Sequence, residues 1–233
     1  EQVRLANEDA ARIKIEKKEF GTSVKGRPIE GYVIGNGAIT VLLVASEHGD
    51  EVGTVDLLNR FIQEVQARPH MLSKAKRFVV VPIANPDGYY DRVDKLNAHG
   101  VNLNLNFPTK DWKEYGPEGT YAGPKPLSEP ESVALKKIIE EYRPRSMISY
   151  HARGALVSPE TNPASIAFGT WYAATVGYEF FEKWEYPGTA TKWFVETFNG
   201  AAITTELTTY RGTDWEAHRK ALLRLISSDS IGA

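Results

Sequence analysis

The run Ile39-Thr40-Val41-Leu42-Leu43-Val44-Ala45 constrains this chain more than any other stretch. It carries no charge, is rich in β-branched and aliphatic residues, and is too short for a buried helix, so it reads as a buried strand. A strand apolar on both faces belongs inside a parallel or mixed sheet with layers on each side. Similar runs follow at 77–83 and at Met147-Ile148-Ser149-Tyr150, and Ala201 to Leu207 reads as a last strand. Between them, Val55, Leu58, Phe61, Ile62 and Val65 recur at helical spacing and predict an amphipathic helix over 52–67. Further helices are expected from Ser128, as N-cap, through Tyr142, over 164–183, closing at Phe194–Phe198, and over 215–227. Strands alternating with helices predict one α/β domain over 1–233, a mixed, largely parallel sheet flanked by helices. Residues 1–19 read as an N-terminal arm, a short helix or an edge element.

Three connections carry turn signals. Gly21 to Pro28 reads as a turn between two strands, and Asn85-Pro86-Asp87-Gly88 as a turn ending the strand before it. Gly35-Asn36-Gly37 is expected to fold the strand Ile29–Ile34 back as a hairpin onto 39–45. Residues 89–131, rich in Gly, Pro, Asn and Tyr, form a connection long enough to be functional.

Composition excludes several classes of function. A formal net charge of −2 with scattered Lys and Arg offers no basic face, so no nucleic-acid partner is expected. The absence of cysteine removes disulfides, thiolate metal sites and thiol nucleophiles, and leaves the compartment open. No apolar run reaches membrane-spanning length. With 42% hydrophobic and 25% charged residues, the chain matches a globular protein with a sizeable core.

Chemistry stands at the strand ends. His48 and Glu51 follow the central strand, three residues apart, His151 ends Met147–Tyr150, and Glu206 lies in the last strand. In open α/β sheets ligands bind outside the strand ends, so these groups can share one crevice. Two imidazoles and a carboxylate supply three zinc ligands and leave a fourth position for water. Glu206 is then a carboxylate suited to taking a proton from that water. The other histidines, His70, His99 and His218, lie in polar surroundings and are expected at the surface.

In order, the motifs resemble the zinc carboxypeptidases of the carboxypeptidase A superfamily, especially the compact bacterial murein peptide amidase branch. Gly21-Thr22-Ser23 through Pro28-Ile29 resembles the branch's first hairpin, and His48-Gly49-Asp50-Glu51 its first two zinc ligands. Asn85-Pro86-Asp87-Gly88 and Asn97 through Asn104 resemble its substrate loops. Tyr121 to Pro124 and Ser128 to Glu131 resemble the turn and helix that follow, Ser149-Tyr150-His151 the third ligand, and Thr205-Glu206-Leu207 the catalytic glutamate. The likeness runs from about residue 20 to 210 and implies one zinc ion on His48, Glu51 and His151, with Glu206 as base.

The departures concern the substrate. The family motif Asn-Arg-Asn-Phe, whose arginine grips a terminal carboxylate, reads Asn104-Leu105-Asn106-Phe107, and leucine donates no hydrogen bond. The oxyanion-stabilising arginine is replaced by Lys95, or by Arg92 from an offset position. Asn102 stands where the family has Asp, beside the site in the shell that orients His48. Arg153 and Arg211 are candidate replacement anchors, Asn104 a polar substrate contact, and Tyr186 the candidate for the family's mobile tyrosine, with Tyr178 and Tyr210 competing. The resemblance implies a zinc hydrolase of amide bonds in small peptides, including cell-wall peptides with D-amino acids or diaminopimelate. Its rivals are an N-acyl amino-acid deacylase on the same zinc triad and an inactive peptide-binding module.

Overall fold

The computed structural model describes residues 13–91 and 95–232. In chain order its strands are β1 (Ile15–Thr22), β2 (Pro28–Ile34), β3 (Ile39–Ala45), β4 (Lys76–Val81), β5 (Ser146–Ala152), β6 (Leu156–Pro159), β7 (Glu179–Phe180) and β8 (Ala201–Leu207). They form one sheet in the order β1-β2-β4-β3-β5-β8-β6-β7. β4, β3, β5 and β8 run parallel at its centre, while β1–β2–β4 and β8–β6 pair antiparallel. Among the described residues the α-helices are α1 (Val52–Ala67), α2 (Pro86–Asp91), α3 (Pro130–Tyr142), α4 (Pro163–Val176), α5 (Ala190–Phe198) and α6 (Trp215–Ser227).

Alternation along β3 divides the core. Val41, Leu43 and Ala45 pack with Leu58 and Phe61 of α1, Tyr172 of α4 and Leu222 of α6. Leu42 and Val44 face the other way, with Leu135 and Ile138 of α3 and Phe194 of α5. The mixed sheet covered by helices on both sides is the architecture expected. Side chains at the carboxyl ends of β3, β5 and β8 project beyond this rigid core, and the site lies there.

Local expectations failed at five places. β2 and β3 are no hairpin, because β4 lies between them and pairs with both. The link Gly35–Ala38 instead crosses the end of β4, with Gly37 N donating to Lys76 O at 3.1 Å and Ile39 N to Ala75 O at 2.8 Å. A Cβ on Gly37 would lie 2.1 Å from the Ala75 carbonyl carbon, so only glycine passes. The sequence Asn85-Pro86-Asp87-Gly88 starts α2 rather than making a simple turn: Asn85 Oδ1 accepts from Gly88 N at 2.9 Å, and Pro86 opens the helix. Ser128 does not cap α3. Glu129 holds the N-cap position, and Ser128 Oγ donates to the Glu129 carboxylate at 2.7 Å. The helix expected over 164–183 stops at Val176, where Gly177 adopts a left-handed cap (φ 78°) before β7. His218 is fully buried, whereas His70 and His99 are exposed as expected.

The turn from Gly21 to Pro28 does join an antiparallel pair, and β1 is the edge strand of the sheet. Residues 1–12 of the expected arm lie outside the described residues. The connection 89–131 contains the 3₁₀ turns Leu103–Leu105 and Pro117–Gly119. Asn106 pins it by donating to Ala122 O at 2.7 Å and to Ser128 Oγ at 3.0 Å.

Candidate metal centre

After β3 the chain must turn sharply. Ser46 takes a left-handed conformation (φ 54°), and the adjoining backbone is pinned where Ala84 N donates to Ala45 O at 3.0 Å and Asn85 N to Ser46 O at 2.8 Å. Gly49 then passes so close to α2 that a Cβ there would lie 2.2 Å from the Gly88 carbonyl carbon. This close approach folds the loop so that His48 and Glu51, the N-cap residue of α1, come together. β5 supplies His151, on the same face as Met147 and Ser149. β8 places Glu206 opposite His151 in register. Gly154 leaves room for it: a Cβ there would lie 3.0 Å from Glu206 Cβ.

His48 Nδ1 lies 2.8 Å from Glu51 Oε1, His151 Nδ1 lies 3.0 Å from Glu51 Oε2, and the two ring nitrogens are 3.3 Å apart. The far side of each ring shows which nitrogen holds the proton in the neutral tautomer. His48 Nε2 is 3.0 Å from Asn102 Oδ1, an atom fixed as the acceptor because it also receives Asn104 N at 3.0 Å. His151 Nε2 is 3.1 Å from Ser149 Oγ and 3.5 Å from Glu47 Oε2, and Ser149 itself donates to Glu47 at 2.6 Å. Both Nε2 atoms therefore carry hydrogen, and both Nδ1 lone pairs turn toward the Glu51 carboxylate. Acceptors converging with no donor between them form a cation site, and this is the one His/Asp/Glu cluster among the described residues with metal-binding spacing.

The electrostatics agree. Burial works against charge on Glu51, but the two imidazoles outweigh it and hold its pKa at about 2. Burial also opposes charge on His151, yet the carboxylates of Glu51 and Glu47 raise its pKa well above the usual histidine value. The centre of the site thus favours positive charge. Glu206 is pushed up to about 7, chiefly by burial, with Glu51 adding to the shift and His151, His48 and Lys95 opposing it.

A cavity of about 530 Å³ opens beside these groups. Of the expected substrate residues, Lys95, Asn104, Leu105, Arg153 and Tyr186 line it. The Arg153 guanidinium lies 5.8 Å from the ring centroid of Tyr210, which lines the cavity too. Arg211 is exposed and lies outside this lining. Arg92 falls outside the described residues. Of the competing tyrosines, Tyr178 is tied to Asp214 away from the cavity, whereas Tyr186 is close enough to Glu206 for that carboxylate to raise its pKa, after burial and Glu118.

Three residues at this site were given no role from sequence. Glu47 and Ser149 hold His151, and their signal was position: one precedes His48, the other stands two before His151 on the same strand face. Glu160 lines the cavity beyond β6, a strand too short for periodicity to reveal.

The sequence model of a family described as zinc carboxypeptidase matches residues 8–164. Murein peptide amidase A of Escherichia coli (strain K12) is 31% identical over 187 residues, covering 71% of this chain and 69% of that protein. The crystal structure of murein-tripeptide amidase from Escherichia coli O157 superposes with a TM-score of 0.73 at 26% identity, over 95% of each chain. Carboxypeptidase A from Helicoverpa armigera shares the fold, with a TM-score of 0.76 at 18% identity over 98% of this chain and 72% of that one.

Proposed function

The chain belongs to the zinc carboxypeptidase family, and on that premise we propose that it cleaves an amide bond in a small peptide, using one zinc ion held by His48, Glu51 and His151. The observation that carries this reading is the convergence of both Nδ1 lone pairs on the Glu51 carboxylate, each ring fixed from behind by Asn102 or by Ser149 and Glu47. When bound there, zinc supplies a Lewis acid that polarises a carbonyl and lowers the pKa of water toward about 7.

The protein's own groups do the rest. Glu206, poised near neutrality, takes a proton from the attacking water and returns it to the leaving amine. Lys95, or Arg92, stabilises the oxyanion that forms. Asn104 contacts the substrate backbone, and Tyr186 closes over it from the cavity wall. With Leu105 unable to bond a carboxylate, Arg153 is the anchor for the substrate's terminal group, because it lines the cavity and Arg211 does not. The chain acts as a single catalytic domain.

The names of the relatives point to murein peptides as substrate. No helix among the described residues is long and apolar enough to cross a membrane. Zinc-loaded protein should release the terminal residue of a murein tripeptide, lose that activity to a chelator and regain it with zinc. Intact peptide after prolonged incubation with the zinc-loaded protein would refute the reading.

A further inference from the structure

The two imidazoles of the candidate metal centre are backed unequally. Behind His48 stands a neutral group, since its Nε2 donates to Asn102 Oδ1 at 3.0 Å. Behind His151 stands a carboxylate. Its Nε2 donates to Ser149 Oγ at 3.1 Å, and Ser149 Oγ donates in turn to Glu47 Oε2 at 2.6 Å. Glu47 Oε2 also lies 3.5 Å from the ring nitrogen itself. The bond from Asn85 Nδ2 to Glu47 O at 3.3 Å helps fix the backbone from which this side chain reaches Ser149.

Glu47 calls for a counter-charge. It is 1% exposed, and its Oε1 has no hydrogen-bond partner among the described residues. Among those residues only His151 lies within ion-pair distance of it, with no Lys or Arg alongside. A carboxylate buried in this way is costly, and a divalent ion on the other nitrogen of His151 relieves the cost. Asn102 lines the cavity together with His48 and Glu51, whereas Glu47 is no part of the lining. Glu47 is therefore placed to act on the ring of His151 and not on a substrate.

Resting on the zinc-hydrolase reading above, we propose that Glu47 is a positioning residue for the metal, which supplies through Ser149 the negative charge that Asn102 does not bring to His48. A carboxylate linked by hydrogen bonds to the Nε2 side of an imidazole draws on that proton and enriches the lone pair on Nδ1. The ring is also held in one tautomer and one orientation, so the lone pair stays aimed at the ion. The charge that strengthens the metal's hold thus comes from behind β5, away from the cavity.

The test is the zinc dissociation constant, measured at one pH by competition with a chromophoric chelator. Glu47→Gln, which keeps the shape and removes the charge, should weaken zinc binding about ten- to hundredfold. Adding Asn102→Asp, which sets a carboxylate behind the other ring, should bring the affinity back to within about threefold of wild type. A packing role for Glu47 predicts no such rescue, because residue 102 backs His48 and not His151. Where Glu47→Gln alone does not fold, Glu47→Asp, a carboxylate drawn back from Ser149, should show a smaller loss that Asn102→Asp also repairs. Equal zinc affinity in wild type and Glu47→Gln, or a loss that Asn102→Asp leaves in place, overturns the assignment. Zinc bound as described but no peptide hydrolysed would refute the hydrolase reading and leave the role of Glu47 standing. Wild type that binds no zinc would overturn both.

Discussion

His151 and Glu206 face each other in register on β5 and β8, neighbouring parallel strands near the centre of the sheet. By alternation from Met147 and Ala202 both project to the side covered by α3 and α5. The imidazole and the carboxylate are thereby held about one strand spacing apart, roughly 4.8 Å between backbones, by hydrogen bonds of the sheet rather than by a loop. On the proposed reading, the ladder positions Glu206, as base, relative to the metal site.

Glu206→Gln therefore should keep the fold and the metal while lowering kcat by roughly 10²–10⁴-fold, the contribution of a positioned base. Because the ionised form takes the proton and burial sets its pKa to about 7, wild-type kcat/KM should fall as pH drops below neutrality. A bound cation nearby lowers this pKa, so the acid limb lies at or below pH 7. Turnover of the variant within a few-fold of wild type would assign the proton to another group.

Arg153→Ala should reduce kcat/KM at least about tenfold for peptides with a free terminal carboxylate, because a charge-assisted bond contributes roughly 1.5–3 kcal/mol. Peptides amidated at that end should be unaffected. Arg211→Ala, altered outside the cavity lining, should change neither. The anchor would be misassigned if Arg211→Ala produced the larger loss on carboxylate-ended peptides.

His218 gives a prediction about stability. It is fully buried beneath Tyr172, whose hydroxyl lies 2.8 Å from its Nδ1, and its Nε2 has no hydrogen-bond partner among the described residues. Burial, opposed by Asp214, lowers its pKa from 6.5 to about 4. As pH falls the unfolded chain binds this proton first, so the contribution is complete above pH 6.5 and is lost toward pH 4. The loss amounts to about 3 kcal/mol. Denaturant unfolding at pH 7.5 and 4.5 should show a smaller drop for His218→Gln than for wild type, and equal drops would contradict it.

How much of this was legible in the sequence depended on pattern length. The seven uncharged residues of β3, six of them apolar, marked a central strand, because nothing else buries both faces of so short a run. Its partner order was not legible: a Gly-Asn-Gly link resembles a hairpin whether or not β4 slips between the strands. His48, Glu51, His151 and Glu206 stood out by spacing from strand ends. Arg153 and Arg211 looked alike, since only the path of the chain after β5 and β8 separates a cavity wall from a surface. His218 could have been placed correctly, because it shares a helical stripe with Ala221, Leu222 and Leu225 that reads as buried. Polar neighbours in sequence obscured that stripe. Glu160 was beyond reach, because β6 is four residues long.

The central claim is that four acceptor atoms of His48, Glu51 and His151 form a zinc site, and anomalous diffraction at the zinc edge tests it most directly. Crystals grown with one equivalent of zinc should show one peak per chain, at about 2.0–2.2 Å from both Nδ1 atoms and from a Glu51 oxygen. His151→Ala crystals should show none there. A peak coordinated through Nε2, a peak elsewhere, or full occupancy in His151→Ala would contradict the account.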